Sequence, residues 1–600
     1  MAPAGTFGQI DTREANRAWT RALELTAPIP RNETITLPTV IAEIARERGD
    51  AAALIAEGQY LTYAKLMQTA TRYSLWAIKQ NLSPGEVVCL LMDNCPEYFA
   101  IWLGIIRTGG VVALINSNLA GDALLHSIKI VTPRHVIVGS DHAEALLAVM
   151  PRLGAEIRCW MHGSGTTSLP RIDEEASETS FFDFPPDREG PKLKDRALYI
   201  YTSGTTGLPK AATVSHYRVM QWTHWFAGML AVTSEDRMYN CLPMYHSTGG
   251  VVAVGAMLVG GGSVVIGKRF SASRFWDDLV QWDCTLFQYI GELCRYLLNS
   301  PPQSSETKHR LRLCCGNGLS AEVWEKFQRR FQIPRILEFY AATEGNISLY
   351  NCEGKPGAIG RIPAFLAHRF PIALISIDPG SGVPIRNADG FCIRCSADEA
   401  GEAIGKISDQ SSNTGNRFEG YTDMESTERK ILRHVFAKDD AWFRTGDLMR
   451  RDKSGYYYFV DRLGDTFRWK GENVSTTEIA DAVSACSGVL VAVVYGVIVP
   501  GAEGRAGMAA IVVNHEFDLS RFRRELIERL PGYACPLFLR VVPEMNLTGT
   551  LKLKKDELLR TGYDPDATAD AIFFNDFNAQ VFVPMDGALY RQIKSGNIRL

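Results

Sequence analysis

The residues best suited to chemistry lie in one loop, Tyr201–Lys210, which reads YTSGTTGLPK. Its glycines and hydroxyl residues can direct backbone N–H groups and hydroxyls at phosphate oxygens, while Lys210 adds a positive charge. The candidate phosphate-binding residues are Thr202, Ser203, Gly204, Thr205, Thr206, Gly207 and Lys210. The loop does not fit G-x-x-x-x-G-K-[ST], because Lys210 follows Pro209 and precedes Ala211. Alone it predicts an anion-binding turn, and its ordinary alternative is a turn without a ligand.

The same ten residues match the signature of the adenylate-forming enzymes, and the chain resembles that family. The family comprises acyl-CoA synthetases, luciferases and the adenylation domains of peptide synthetases. The resemblance implies that a carboxylate attacks the α-phosphate of ATP and that pyrophosphate leaves, rather than transfer of the γ-phosphate.

Further family motifs follow in order along the chain. LPMYHSTGG (242–250) carries His246, which the resemblance places at the border of an acyl pocket; the alternative is a buried structural histidine. CCGNGLS (314–320) resembles the strand and turn that carry adenine, where small residues let a flat base approach the backbone; the alternative is a plain glycine turn. The residues concerned there are Gly316, Asn317 and Gly318.

EFYAATEGN (338–346) resembles the next motif. The resemblance implies that Tyr340 stacks on adenine, that Thr343 binds phosphate and that Glu344 gives Mg²⁺ a carboxylate oxygen. Without the resemblance this stretch is an unremarkable loop.

Two motifs point to the ribose. WFRTGDL (442–448) contains Asp447, which the resemblance assigns to both ribose hydroxyls, since a carboxylate accepts from two donors at once. Arg462, in DRLGDTFRWKGENVS (461–475), is assigned to ribose and phosphate. The alternative is a surface ion pair between Asp461 and Arg462, which would contribute little.

The last motif contains the candidate catalytic lysine. In LTGTLKLKKDEL (547–558), the resemblance selects Lys552 to reach the α-phosphate and the substrate carboxylate. The lysines Lys554 and Lys555 are the alternatives, which otherwise form a solvated charge run.

A hinge is expected near Gly464, two residues after Arg462, where many relatives have Asp or Lys. Glycine can absorb a large change in φ and ψ. The resemblance implies that a small domain turns there, withdraws Lys552 and brings KGENVS, with Gly471, beside the site. CoA would then attack the acyl-AMP, releasing AMP and the thioester.

These residues need an α/β frame to bring them together. Short β-branched runs such as EVVCLLM (86–92) and ALYIY (197–201) alternate with helical patterns, which predicts layers with buried strands. We predict an α/β fold: a large multi-layer N-terminal domain with mixed sheets (1–461) and a small mobile α+β C-terminal domain (462–600), with the hinge near 464.

Local sequence signals predict two helix N-termini and one buried apolar run. Thr62 is a candidate N-cap, and Ser475-x-x-Glu478 has the spacing of a capping box. The uncharged run Gly249–Gly267 is as long as a membrane span, but Gly260–Gly262 divides it into an apolar helix and a strand. We therefore predict buried core there.

Composition and charge argue against a nucleic-acid-binding protein and indicate a cellular compartment. Lys and Arg number 64 against 67 Asp and Glu, a net charge of −3, so no broad basic surface invites nucleic acid. The 13 irregularly spaced cysteines and an N-terminus without a signal-peptide pattern favour the cytoplasm. A lipid substrate would bring the protein peripherally to the inner face of a membrane, and the oligomeric state stays open.

Longer phrases, among them TLFQYIGELCRYLLN (285–299), resemble the fatty acid transport protein and very-long-chain acyl-CoA synthetase branch. The resemblance implies an ATP-dependent fatty acid–CoA ligase that uses Mg²⁺ and acts on a long-chain, very-long-chain or other bulky carboxylic acid. Its acyl pocket would be lined from 222–229 and 239–298. The alternatives are a fatty acid uptake or binding protein, a luciferase-like oxygenase and an enzyme that passes the acyl group to a carrier protein.

Overall fold

The architecture comes from a computed structural model that describes residues 12–165, 167–177, 185, 189–202, 208–378, 381–407, 417–469, 472–500, 504–545 and 555–598. Its α-helices are α1 Thr12–Thr26, α2 Leu37–Glu47, α3 Tyr63–Lys79, α4 Pro96–Arg107, α5 Gly121–Lys129, α6 Ala143–Val149, α7 Ile172–Ser177, α8 His216–Leu230, α9 Ala256–Val259, α10 Phe275–Gln281, α11 Gly291–Asn299, α12 Ala321–Arg330, α13 Met424–Glu428, α14 Thr476–Ser484, α15 Leu519–Arg529, α16 Asp556–Thr561 and α17 Gly587–Lys594. A π-helix spans Ser247–Gly255, and short 3₁₀ helices span Ile29–Arg31, Ser140–His142, Met150–Arg152 and Ala364–Leu366.

Within the described residues, the strands form five sheets. They are β1 Ala52–Ala56, β2 Gln59–Thr62, β3 Val87–Leu91, β4 Val111–Leu114, β5 His135–Gly139, β6 Arg158–His162, β7 Arg196–Thr202, β8 Lys210–Ser215, β9 Arg237–Asn240, β10 Ser263–Ile266, β11 Leu286–Ile290, β12 Leu313–Asn317, β13 Ile336–Ala341, β14 Ser348–Asn351, β15 Gly360–Arg361, β16 Ile372–Ile375, β17 Ala400–Lys406, β18 Ile431–Arg433, β19 Ala441–Arg451, β20 Tyr456–Arg462, β21 Phe467–Trp469, β22 Glu472–Val474, β23 Val489–Val497, β24 Ala506–Val513, β25 Phe538–Val541, β26 Ala571–Asp576 and β27 Val581–Pro584.

Two mixed sheets form the main layers. The first sheet has the order β6-β5-β3-β4-β7-β8 and is parallel except at β8. The second sheet has the order β14-β13-β12-β11-β9-β10-β1-β2 and is antiparallel only at its two edges. Helices α3, α4, α8 and α9 pack between them in one continuous apolar core, which includes Trp76, Ile200 and Leu286. Helices α5 and α6 cover the outer face of the first sheet, and α10 to α12 cover that of the second.

The remaining sheets complete the frame. The third sheet, β15-β20-β19-β17-β16 with β18 beside β19, is antiparallel. After the two-stranded pair of β21 and β22, the five strands β23 to β27 follow one another in chain order and share an apolar core with α14 to α17. The predicted α/β architecture, with mixed sheets and a smaller α+β part, is confirmed, whereas the mobility of that part stays a prediction.

The predicted local signals are confirmed as well. The Thr62 side chain accepts a hydrogen bond from the Lys65 amide, and the Ser475 hydroxyl accepts one from the Glu478 amide at 3.2 Å. The run Gly249–Gly267 is core: it forms the π-helix, α9 and β10, with the chain turning at Gly260–Gly262. Within the described ranges, no helix combines the length and apolar character that a membrane crossing needs.

Helix α11, which packs on the outer face of the second sheet, contacts the smaller α+β part. Arg295, on α11, donates to the Ser484 hydroxyl at 2.5 Å and lies 3.8 Å from the Asp481 carboxylate, both on α14. The Asn299 side-chain amide donates to the backbone oxygen of Leu490, at β23. Helix α11 therefore contacts both the large core and the smaller part.

Candidate active site

The predicted phosphate loop lies between two paired strands of the first sheet. Thr202 at the end of β7 lies opposite Lys210 at the start of β8, and the two strands are antiparallel. Nε2 of His126, on α5, lies 3.1 Å from the backbone oxygen of Pro209 and fixes the end of the loop. The predicted site residues outside the described part of the chain are Ser203, Gly204, Thr205, Thr206, Gly207, Gly471 and Lys552.

The structure brings together the residues predicted for adenine and ribose. Tyr340, near the end of β13, donates from Oη to Oδ2 of Asp447 at 2.5 Å. Asp447 and Arg462 are register partners of β19 and β20, and Arg462 Nε lies 3.6 Å from Asp447 Oδ1. Since a carboxylate has about four acceptor positions, Asp447 keeps capacity for ribose hydroxyls.

The alternative ion pair between Asp461 and Arg462 is wrong. Asp461 is only 2% exposed and accepts from the backbone amide of Thr476 at 2.6 Å, at the start of α14. Burial raises the pKa of the Asp461 carboxyl, and the bonds from Arg462 and Thr476 amides oppose that rise. Asp461 is therefore a structural link between β20 and α14.

Thr343 and Glu344 lie where the motif LPMYHSTGG (242–250) meets the motif EFYAATEGN (338–346). The Thr343 hydroxyl is 3.1 Å from that of Ser247, the first residue of the π-helix that follows His246. The His246 ring packs on that of Tyr245, with centroids 4.5 Å apart. The π-helix has nine residues, and π-helical geometry is frequent at functional sites.

A small cavity of about 30 Å³ opens beside Thr343. It is lined by Trp222, Phe226, Ser247, Thr248, Val252, Phe339, Ala341, Ala342, Thr343, Ser348 and Tyr350. The lining combines residues from both stretches expected to form the acyl pocket with residues of the β13 motif. The volume matches roughly one water molecule, so a long chain needs these side chains to move.

The turn predicted to carry adenine has a packing reason for its glycines. A Cβ at Gly316 would lie 2.2 Å from the Tyr289 backbone oxygen, and Gly318 has φ +81°. Behind the turn, Glu338 accepts from the Leu319 amide at 3.1 Å and from the Tyr289 hydroxyl at 2.5 Å. Burial raises the pKa of Glu338 to about 8, although these donors lower it.

Two residues that contact Glu344 were not predicted from the sequence. Tyr421 donates from Oη to Glu344 Oε1 at 2.9 Å, and buried Arg218 on α8 donates to the backbone oxygens of Glu344 and Gly345. Burial lowers the pKa of Arg218, while the carboxylates of Glu419 and Glu344 raise it. An arginine inside an otherwise apolar helix was the available signal, because arginine is almost never fully buried unless paired.

Of the two alternative lysines near Lys552, the structure describes Lys555, which contacts other side chains. Lys555 Nζ lies 3.0 Å from Asp465 Oδ2 and 3.4 Å from the Thr476 hydroxyl, so Lys555 is not part of a solvated run. Asp465 follows Gly464, whose φ of +95° lies in the region that favours glycine. Lys555 thus ties α14 to the expected hinge.

Comparisons with known proteins give a family match and, separately, a similarity of fold. A family model described as AMP-binding enzyme matches residues 41–369. Long-chain fatty acid transport protein 1 of Mus musculus is 40% identical over 579 residues, covering 94% of this chain and 88% of the relative. The anthranilate CoA ligase AuaEII, in complex with anthranoyl-AMP, is similar with a TM-score of 0.76 at 18% identity, over 89% of this chain and 98% of that one. ATP-bound MatB from Rhodopseudomonas palustris has a TM-score of 0.73 at 23% identity, over 88% and 100%.

Proposed function

The chain belongs to the AMP-binding enzymes, in the branch of the long-chain fatty acid transport proteins, and on this premise we propose that it is an ATP-dependent fatty acid–CoA ligase. The acid is activated to acyl-AMP with release of pyrophosphate, and CoA then takes the acyl group and releases AMP. The substrate is a long-chain or very-long-chain fatty acid or another bulky carboxylic acid.

One observation carries the proposal: Asp447 on β19 accepts a hydrogen bond from Tyr340 of the β13 motif and lies beside Arg462 on β20. We assign adenine and ribose to this cluster and to the turn Gly316–Gly318. The phosphates are assigned to the Thr202–Lys210 loop and to Thr343. Because ATP and the acid are both anions, catalysis rests on positioning them and on stabilising charge.

The donor set near Glu344 fits Mg²⁺ bound together with a nucleotide. Among the described residues no group of three His, Cys, Asp or Glu side chains could hold a metal ion. Mg²⁺ needs no such cage, since it is usually held by one or two carboxylates together with substrate phosphates. Glu344 would supply the carboxylate, and the bound ion would neutralise phosphate charge.

The cavity beside Thr343 supports an acyl site at that end of the nucleotide cluster. Helix α8 contributes the aromatic Trp222 and Phe226 to its lining, and the π-helix after His246 contributes Val252 and the hydroxyls of Ser247 and Thr248. Each buried methylene adds about 0.8 kcal/mol, so a pocket that opens along α8 would favour long chains. We place the protein in the cytoplasm, with peripheral contact to a membrane that supplies the acid.

The domain division at 461/462 and the turn about Gly464 are part of the proposal. In the first orientation Lys552 reaches the α-phosphate, and in the second the segment with Gly471 faces the site for CoA. The contacts of Lys555 with Asp465 and Thr476 support a linkage between the lysine segment and the hinge.

The test measures AMP formed from ATP, CoA and a panel of fatty, bile and aromatic acids. We expect acid-dependent AMP and pyrophosphate with long chains preferred; fatty acid binding without AMP would instead favour a binding protein. Lys552→Ala should lose most adenylation, on the order of a hundredfold, while still converting supplied acyl-AMP to acyl-CoA. Equal loss of both half-reactions would remove Lys552 from this role.

A further inference from the structure

Tyr421 lies between the two charged groups of the nucleotide site. Its segment pairs with β8 through the Thr213 amide to Gly420 oxygen bond at 3.0 Å and the Thr422 amide to Ala211 oxygen bond at 3.1 Å. This pairing holds Tyr421 beside the strand that begins with Lys210. The aromatic ring is therefore placed by backbone hydrogen bonds and not by a free loop.

The Tyr421 side chain contacts both charged groups. Its hydroxyl donates to Glu344 Oε1 at 2.9 Å, and the Lys210 ammonium lies 5.8 Å from the ring centroid, within cation–π range. The residue is 8% exposed. A phenol is protonated at neutral pH, so the hydroxyl is a hydrogen-bond donor to the carboxylate.

Arg218 fixes Glu344 from the other side. Its guanidinium donates to the backbone oxygens of Glu344 and Gly345, and it packs over the Trp222 ring with Cζ 5.0 Å from the centroid. The main chain of Glu344 is thus held by Arg218. The orientation of its carboxylate is restrained by Tyr421, which donates to Oε1.

We propose that Tyr421 is a positioning residue that orients Glu344 toward a divalent cation and supports Lys210 toward the phosphates of the same nucleotide. The inference rests on the proposed function, because it assigns that nucleotide and cation to this site. The hydroxyl and the ring have separable tasks. The hydroxyl acts on the cation through Glu344, and the ring acts on the phosphates through Lys210.

Tyr421→Phe removes the hydroxyl and keeps the ring. We expect the Mg²⁺ concentration for half-maximal pyrophosphate release to rise about ten- to a hundredfold, as for one lost hydrogen bond to a charged group. KM for ATP at saturating Mg²⁺ should stay near the wild-type value. Tyr421→Leu should raise both quantities, and Lys210→Met should raise KM for ATP alone.

Tyr458→Phe is the matched control. Tyr458 also donates to a carboxylate, Asp452 at 3.1 Å, and also carries a cation over its ring, Arg450 at 4.1 Å, but it lies at the other end of the β19–β20 hairpin from Asp447 and Arg462. It should leave the Mg²⁺ midpoint and KM for ATP unchanged. An equal shift in this variant would mean that Tyr421 acts only on general stability.

A binding readout separates this inference from the proposed function. Mn²⁺ binding in the presence of a non-hydrolysable ATP analogue, followed by electron paramagnetic resonance, should weaken in Tyr421→Phe. In the Glu344→Gln background, Tyr421→Phe should have no further effect, because its action passes through that carboxylate. Unchanged Mn²⁺ binding in Tyr421→Phe overturns the inference even when the wild type forms AMP. If the wild type forms none with any acid, the proposed function fails while Mn²⁺ binding still tests Tyr421.

Discussion

At the scale of single residues, Glu338 shows how burial and hydrogen bonding compete at one carboxyl group. It is 1% exposed and accepts hydrogen bonds from the Tyr289 hydroxyl and the Leu319 amide. Donors of this kind favour the ionised form, whereas removal from water favours the neutral form. Burial prevails, and the pKa rises from 4.5 to about 8.

This shift predicts a pH dependence of stability. The pKa of the Glu338 carboxyl is higher in the folded state than in the unfolded chain. Between pH 4.5 and about 8 the folded protein therefore holds a proton that the unfolded chain has already lost. Stability therefore falls as pH rises through this window. Glu338→Gln lacks the titrating carboxyl. Through this window, the free energy of unfolding of the variant should therefore increase relative to that of the wild type by up to about 1.4 kcal/mol per pH unit. Urea denaturation at several pH values measures the slope.

Tyr289→Phe gives the matching comparison. It removes the donor that lowers the Glu338 pKa most, so the window should extend to higher pH. Parallel pH curves for the wild type, Glu338→Gln and Tyr289→Phe would contradict the assignment of the slope to this carboxyl.

At the scale of elements, β11 contains a polar side chain on its interior face. Leu286 belongs to the core between the two main sheets, whereas Phe287 and Tyr289 belong to the outer one. Because side chains alternate along a strand, Gln288 shares the face of Leu286. It is fully buried, and within the described part of the chain neither atom of its amide has a hydrogen-bond partner.

Gln288→Leu should stabilise the protein. An unpaired buried amide costs about 1–3 kcal/mol, and an apolar side chain of similar size removes that cost. We expect a gain on the order of 1 kcal/mol, measured by chemical denaturation. Gln59→Leu, at an exposed position of β2, should stay within about 0.5 kcal/mol of the wild type. A loss of stability in Gln288→Leu would show that the amide has a partner when the protein is in water.

The elements also explain which features could be predicted from the sequence. The caps at Thr62 and Ser475 depend on residues three positions away, so local spacing reveals them. Tyr340 and Asp447 are 107 residues apart and were predicted only as separate motifs by resemblance. Tyr421 carries no local signal, since its role follows from the pairing of its segment with β8, which spacing along the chain cannot show.

At the scale of the whole molecule, α11 lies between the turn assigned to adenine and the smaller α+β part. A Cβ at Gly291, where α11 begins, would lie 1.8 Å from the Gly318 backbone oxygen, so the helix touches the turn assigned to adenine. Its other end reaches α14 and β23 through Arg295 and Asn299. A shift of the turn would therefore be passed along the helix to the smaller part.

Arg295→Ala should loosen this connection. The hydrogen bond to Ser484 and the attraction to Asp481 are lost, which for a partly exposed pair is worth about 1 kcal/mol or less. We expect tryptic cleavage between 462 and 475 to be up to about fivefold faster. Arg310→Ala, which removes an exposed pair with Asp283 on the same large part, is the control and should leave cleavage unchanged. Equal rates for both variants would exclude α11 as a restraint.

The narrow cavity beside Thr343 also gives the chain an optical probe. Trp222 is both a wall of that cavity and the ring beneath the Arg218 guanidinium. Indole emission depends on nearby charge and on contact with water, and an entering chain would change both at this ring. The difference in emission between the wild type and Trp222→Phe thus isolates a signal from the proposed acyl site, without label, nucleotide or turnover.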